Sequence, residues 1–132
     1  MKGAIAVEEM IIVGRSVLIE SRSATNAFAV FFEDEGDTAY FYALDTERED
    51  PILDALHIYN VANVTDANSP SRVQIAWSND GLKSALIING SVHAVFDFYS
   101  KRGYCRTGFP PPIGNWSQEG HEWSDNALKL FS

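Results

Sequence analysis

Disulfide chemistry is all but missing from this chain: its one cysteine, Cys105, has no partner, so no bridge can form within it and ordinary burial must hold the fold. A solitary thiol fits a reducing compartment. Bases are also scarce. Ten Lys and Arg stand against 18 Asp and Glu, a formal net charge of −8, which excludes the dense basic surface that non-specific nucleic-acid binding needs and disfavours anionic membranes. Long apolar runs are absent: no stretch approaches the roughly 20 residues that span a bilayer as a helix. The N-terminal run Met1-Lys2-Gly3-Ala4-Ile5-Ala6-Val7 meets Glu8-Glu9 too soon for a secretory leader. These absences predict a cytoplasmic protein, in which the sequons at Asn63, Asn89 and Asn115 are chance matches. No GxGxxG, GxSxG or GxxxxGK[ST] pattern occurs, so nucleotide and nucleophile-elbow chemistry have no support.

What is abundant is acid, and it is concentrated. Nine of the twenty-two residues from 33 to 54 are acidic: Glu33, Asp34, Glu35, Asp37, Asp45, Glu47, Glu49, Asp50 and Asp54, with Arg48 the single base among them. Residues 1–66 carry net −9 and residues 67–132 net +1. Such a field over one edge of a small domain attracts cationic partners. It also keeps a small protein dispersed, so the run reads either as a binding surface or as a solubilising one.

At 132 residues and 45% apolar content the chain is read as a single domain, 1–132. Residues 11–20 and 27–33 are rich in β-branched and aromatic side chains and read as strands. Asp34-Glu35-Gly36-Asp37 is then a hairpin tip, with residues 38–44, including Tyr40, Phe41 and Tyr42, as the returning strand. Asp50-Pro51 is a helix-start signal, and the spacing of Ile52, Ala55, Leu56, Ile58, Tyr59 and Ala62 predicts a helix over residues 51–64 with Asp54, His57 and Asn60 on its polar side. A meander follows over residues 73–78, 82–88 and 91–98, turned by Asp80-Gly81 and Asn89-Gly90. Two-residue loops would set Ile75 opposite Leu86 and Leu86 opposite His93, with Trp77, Ser84 and Val95 on the same face. Ile87, Val92, Ala94 and Phe96 make the other face apolar as well, so the C-terminal segment or a partner must cover it. Residues 125–131 are expected to close the chain as a short helix. The fold class predicted is α+β: two antiparallel hairpin and meander units, one main helix packed on the sheet, and the short terminal helix.

The search for chemistry returns few candidates. His121-Glu122-Trp123-Ser124-Asp125 begins like the helical zinc signature HExxH, but Asp125 stands where the second His belongs, so no metal is assigned. His57, His93 and His121 have no ligand spacing. Cys105 between Arg102 and Arg106 could form a thiolate and pair with His121, yet no orienting third group is legible. Glu33, Asp34, Glu35 and Asp37 lack the spacing of a calcium loop. Lys101, Arg102, Tyr104 and Arg106 mix base and aromatic, thin support for nucleic acid beside the overall charge. No cofactor and no catalytic residue is assigned.

The segments Tyr40-Phe41-Tyr42-Ala43-Leu44-Asp45, Ile52 to Asn60, Trp77 to Gly81 with Lys83, Ile88-Asn89-Gly90, His93 to Phe98 and Gly103-Tyr104-Cys105-Arg106 resemble a family of small bacterial proteins classed as a domain of unknown function, over residues 13–131. The resemblance implies a bacterial cytoplasmic domain and carries no site residue with it. The leading reading is an acidic protein-binding module, an immunity- or antitoxin-like inhibitor of a basic toxin or nuclease, because complementary charge speeds docking on a cationic active site. Its contact candidates are Glu33, Asp34, Glu35, Asp37, Tyr40, Tyr42, Asp45, Glu47, Glu49, Asp50 and Tyr59. The alternative is a small-molecule sensor or enzyme with a pocket between sheet and helix, using His93, Asp97 and Tyr59.

Overall fold

The computed structural model describes residues 3–112, 115–117 and 119–131; Met1 and Lys2, which open the N-terminal apolar run, lie outside them. Among the described residues nine strands form two antiparallel sheets: β1 (Gly3–Ile11), β2 (Val17–Arg22), β3 (Phe28–Asp34), β4 (Thr38–Asp45), β5 (Ile52–Asn60), β6 (Ser71–Ser78), β7 (Lys83–Ile88), β8 (Ser91–Asp97) and β9 (Arg102–Cys105). One sheet has the order β1-β6-β7-β8-β9, the other β2-β3-β4-β5. The chain thus lays down β1, crosses over for a four-strand meander, and returns for a second meander that pairs with β1. This architecture is mostly β and corrects the α+β expectation.

The decisive correction is the missing main helix. Residues 51–64 were expected to form one, and they form strand β5 followed by a single 3-10 turn, Val61–Asn63. Leu53 through Ile58 are all buried, so the strand has no polar side to alternate with, and a run of that kind fits a helical template as well as an extended one. Nor does Asp50-Pro51 start a helix. The Pro51 carbonyl instead accepts the Asp45 N–H and closes the β4–β5 loop. The hairpin β3–β4 and the meander β6–β7–β8 stand close to where turn chemistry puts them. Residues 11–20, expected as one strand, are divided: β1 ends at Ile11, a turn follows, and β2 starts at Val17.

The sheets pack face to face over Val30, Phe32, Phe41 and Leu56 from one side and Val73, Ile75, Leu86 and Phe96 from the other. Aromatic rings bridge the layers: Phe28 stacks on Phe98 at 4.6 Å and Phe41 on Phe96 at 5.3 Å. The buried rings among them, Phe41, Phe96 and Phe98, each contribute about 1.5–3 kcal/mol of hydrophobic stabilisation, and the half-buried Phe28 less. At one end the loop after β2 clasps the β6–β7 turn, with Ser23 Oγ and Asn26 Nδ2 both donating to the Gly81 carbonyl. Gly81 sits at φ +71, and a Cβ there would collide with the Ser23 and Thr25 hydroxyls.

The two outer faces have opposite fates. That of the five-stranded sheet is covered by the C-terminal 3-10 helix Asp125–Phe131, whose Ala127, Leu130 and Phe131 pack on Ala76, Ala85 and Val95. Among the described residues no helix covers the outer face of the four-stranded sheet in this way. The rest of the C-terminal segment straps the edges instead. The His57 N–H donates to the Phe109 carbonyl at 2.8 Å and Thr107 Oγ1 donates to the His57 carbonyl at 2.9 Å, which satisfies the free edge of β5. Cys105 N–H donates to the His121 carbonyl beside β9.

His121 anchors this strap. Its Nδ1–H donates to the Pro110 carbonyl and its Nε2 meets Asp54 Oδ2 at 2.7 Å, both residues being about 1% exposed. A carbonyl can only accept, so Nδ1 carries a hydrogen, and either Nε2–H donates to a carboxylate or a protonated Asp54 donates to Nε2. Both arrangements are electrically neutral as a pair, which makes the burial tolerable. Removing one member strands the other. We expect His121→Ala to lower stability by about 3–5 kcal/mol in urea unfolding, with Asp54→Asn milder because the amide can still hydrogen-bond.

Candidate functional site

The acid run, continuous in sequence, is divided in space. Glu35 and Asp37 sit at the β3–β4 tip, whereas Asp45 closes β4 at its far end and Glu47, Glu49 and Asp50 follow in the β4–β5 loop. Eight residues of strand separate the groups by roughly 25 Å. Glu35, Asp37, Glu47, Glu49 and Asp50 are exposed, Glu33 and Asp45 partly so. None of these seven makes a salt bridge with a described residue.

Asp34 is fully buried and structural. Its carboxylate accepts the Gly14 and Gly36 N–H groups, each at 2.8 Å, and the Tyr59 hydroxyl at 2.7 Å. This ties the hairpin tip to the β1–β2 turn. Tyr59 is committed with it: burial first, then the bond to Asp34 and its charge, hold the phenol well above its ordinary range. Neither residue is free to meet a partner. Asp54, at the end of the acid run, is committed to His121.

Strand alternation brings the remaining contact candidates together between the acidic poles. Phe31, Glu33, Tyr40 and Tyr42 point to the uncovered face, opposite to Phe32 and Phe41, which enter the core. Phe31 meets Tyr42 at 4.5 Å, Tyr42 meets Tyr40 at 6.0 Å, Tyr40 meets His57 at 5.4 Å, and His57 meets Phe109 at 5.9 Å. The result is a continuous strip of five rings across the sheet. Sequence reading missed Phe31, Phe109, Leu18 and Glu20 as members of this face; the period-two pattern of β2 and β3 held the signal for Leu18, Glu20 and Phe31, while Phe109 arrives only through the strap. Glu20 lies directly across from Phe31, and Glu33 between Leu18 and Tyr40. Phe109 is 54% and Leu18 49% exposed, large apolar surface for a face with no cover. Tyr42 keeps its proton to higher pH than an ordinary phenol because of burial, then Glu33, Glu35 and Tyr40.

The alternative pocket residues separate. His93 and Tyr59 line one cleft of about 590 Å³ together with Val64, Asp66, Ile88 and Asn89. Asp97 lies at the other end of β8, where it accepts the Ser100 N–H. His93 reaches the cleft through a bulge: Leu86 pairs with Ala94 and Ile87 with Val92, leaving His93 unpaired between them. The expected pairing of Leu86 with His93 fails for that reason, and Ala94 and Phe96 turn to the core while Val95 turns to the C-terminal helix. The cleft lies between the β5–β6 connection and the β7–β8 turn, because the residues expected to supply the helix wall of the pocket form β5 instead.

Cys105 is fully buried, its Sγ facing Thr107 Oγ1 and the Phe109 carbonyl, while both ring nitrogens of His121 are engaged elsewhere. The two make no nucleophile pair. Arg102 and Arg106 lie over Tyr104 and Trp123. Among the described residues no cluster of three or more His, Cys, Asp or Glu could hold a metal, and no helix is long and apolar enough to cross a membrane.

Residues 11–132 match the family model described as an uncharacterized protein conserved in bacteria, DUF2251. The chain belongs to the DUF2251 family. A protein of Haemophilus influenzae (strain ATCC 51907 / DSM 11121 / KW20 / Rd), itself described as uncharacterized, is 43% identical over 95 residues, which are 70% of this chain and 59% of that protein. The chain therefore spans less than two thirds of this relative. No solved structure matches.

Two outcomes follow from these environments. Tyr59→Phe removes the hydroxyl donor from the buried Asp34 and should cost about 1–3 kcal/mol in urea unfolding. Burial first, then Arg106, holds His93 below its ordinary 6.5. The unfolded chain then takes up this proton before the folded one, so the stability His93 contributes is present above pH 6.5 and is lost as pH falls through the folded value. His93→Asn should flatten the stability profile as pH falls below 6.5, as read from urea midpoints.

Proposed function

We propose that this member of the DUF2251 family is a protein-binding module of the bacterial cytoplasm that docks a basic partner on the outer face of its four-stranded sheet, in the manner of an immunity or antitoxin protein blocking a basic toxin or nuclease. The observation that carries this reading is the contrast between the faces: the chain covers one with its own C-terminal helix and leaves the other open, aromatic and acidic. Aromatic rings are the residues that most often anchor interfaces, and unpaired carboxylates at both ends supply the field that steers a cationic partner. Asp34 and Tyr59 drop out of the contact set. Glu33, Tyr40 and Tyr42 stay, joined by Glu20 and Phe31, with Glu35, Asp37, Asp45, Glu47, Glu49 and Asp50 as the steering poles.

A second reading is favoured by the bulge that turns His93 into the cleft beside Tyr59. It is a small-molecule sensor without Asp97, in which a neutral imidazole both donates and accepts.

The test is affinity capture from native bacterial lysate at low salt and at about 0.5 M salt, where exposed charge contacts are screened. We expect one basic protein to be retained by the native chain, lost with the Tyr40→Ala/Tyr42→Ala variant, and weakened in a salt-dependent way when Glu47, Glu49 and Asp50 become Lys. If the captured protein is a nuclease, one equivalent of this chain should suppress its activity. Capture undiminished by the tyrosine variant would sink the docking assignment.

A further inference from the structure

We propose that the open face selects arginine over lysine, and that its occupant is an extended Arg-x-Arg segment of a basic protein lying along the strands. This rests on the reading of that face as a docking surface and specifies what it grips. Two cross-strand rows carry the argument. In one, Glu20 stands opposite Phe31, which is 4.5 Å from Tyr42; in the next, Glu33 stands opposite Tyr40, which is 5.4 Å from His57. Each row therefore sets a carboxylate one strand away from an aromatic ring. A guanidinium uses both at once, its flat face on the ring and its in-plane N–H groups on the carboxylate. A lysine ammonium is a compact, strongly hydrated point charge and gains little from the ring. The rows are two residues apart along the strands, about 7 Å, and the second carboxylate–ring pair is set one strand over, about 5 Å, so alternate side chains of an extended segment, themselves about 7 Å apart, reach both pairs when they are as long as arginine.

The opposite sheet shows the same chemistry already satisfied. There Arg106 lies 3.8 Å over Trp123, which precedes the covering helix, and Arg102 lies 4.7 Å over Tyr104. On the open face rings and carboxylates are present, and among the described residues no cation lies over Phe31, Tyr40 or Tyr42. Arg22 shares that face but donates to Thr46 Oγ1 in the β4–β5 loop.

The experiment is fluorescence anisotropy of two labelled peptides, Arg-Ser-Arg-Ser-Arg and Lys-Ser-Lys-Ser-Lys, against the full chain at about 50 and 150 mM salt. We expect the arginine peptide to bind about 10-fold more tightly, with Tyr42→Leu and Glu33→Gln each collapsing that ratio towards one while the lysine peptide's affinity on Tyr42→Leu stays unchanged. Thermal melts identify any variant that has not folded, and Glu33→Gln alone is sufficient if Tyr42→Leu fails. Equal affinity for both peptides would overturn the arginine proposal and leave the basic-partner reading standing. Binding of neither would overturn both. An arginine preference that survives both face variants but disappears when Glu47, Glu49 and Asp50 are neutralised would place the grip on the loop and overturn the proposal.

Discussion

The hydrogen bond between Asp54 and His121 is the contact on which the difference between the two faces depends. It joins the middle of β5 to the C-terminal segment inside the core, 67 residues away in sequence, and His121 then fixes Pro110 through its other nitrogen and β9 through its own carbonyl. With that segment anchored, Thr107 and Phe109 seal the β5 edge and place the last ring of the aromatic strip over His57, while the residues beyond continue to the helix that covers the other sheet. One neutral buried pair thus determines which face is closed and where the open one ends. A pair of this kind adds less to stability than an apolar substitute of similar volume could; its value lies in geometry, because any other seat for the segment leaves a polar group unpaired.

Much of the fold was readable in the sequence wherever turn chemistry was explicit. Asp34-Glu35-Gly36-Asp37 and Asn89-Gly90 need backbone conformations that few other residues adopt, and the strands they join stand where expected. β5 was not readable. Its six consecutive buried residues owe their burial to the opposing sheet on one side and to residues about 50 positions later on the other, and no local window contains either. The register of β8 failed for a smaller reason: a single bulge at His93 inverts the facing of every residue after it, so Ala94, Val95 and Phe96 all changed sides together.

The candidate site was legible in composition and not in arrangement. Counting acids locates Glu33 to Asp50 as unusual, but whether they form one patch depends on how many residues of strand lie between them. The eight residues of β4 spread them to two ends. Asp34 shows the opposite limit: it has the same chemistry as its neighbours, yet alternation points it inward, and three donors from separate elements convert it from a surface charge into a structural clasp.

That conversion bears on what the remaining acids do. Carboxylates placed for solubility alone need no particular neighbours, and scattering them over both faces would serve equally well. Here the exposed acids of residues 33–50 stand at the two ends of one sheet, with Glu20 and Glu33 within its outer face and apolar rings between them that a solubilising surface would not carry, while Glu8 and Glu9 are exposed on β1 of the other sheet. The nearly neutral half of the chain, by contrast, spends Arg102 and Arg106 on its own aromatics and closes itself. A surface that pairs apolar rings with uncompensated charge carries a desolvation cost in isolation, and a partner of opposite charge relieves it. The arrangement supports the proposal of a basic partner.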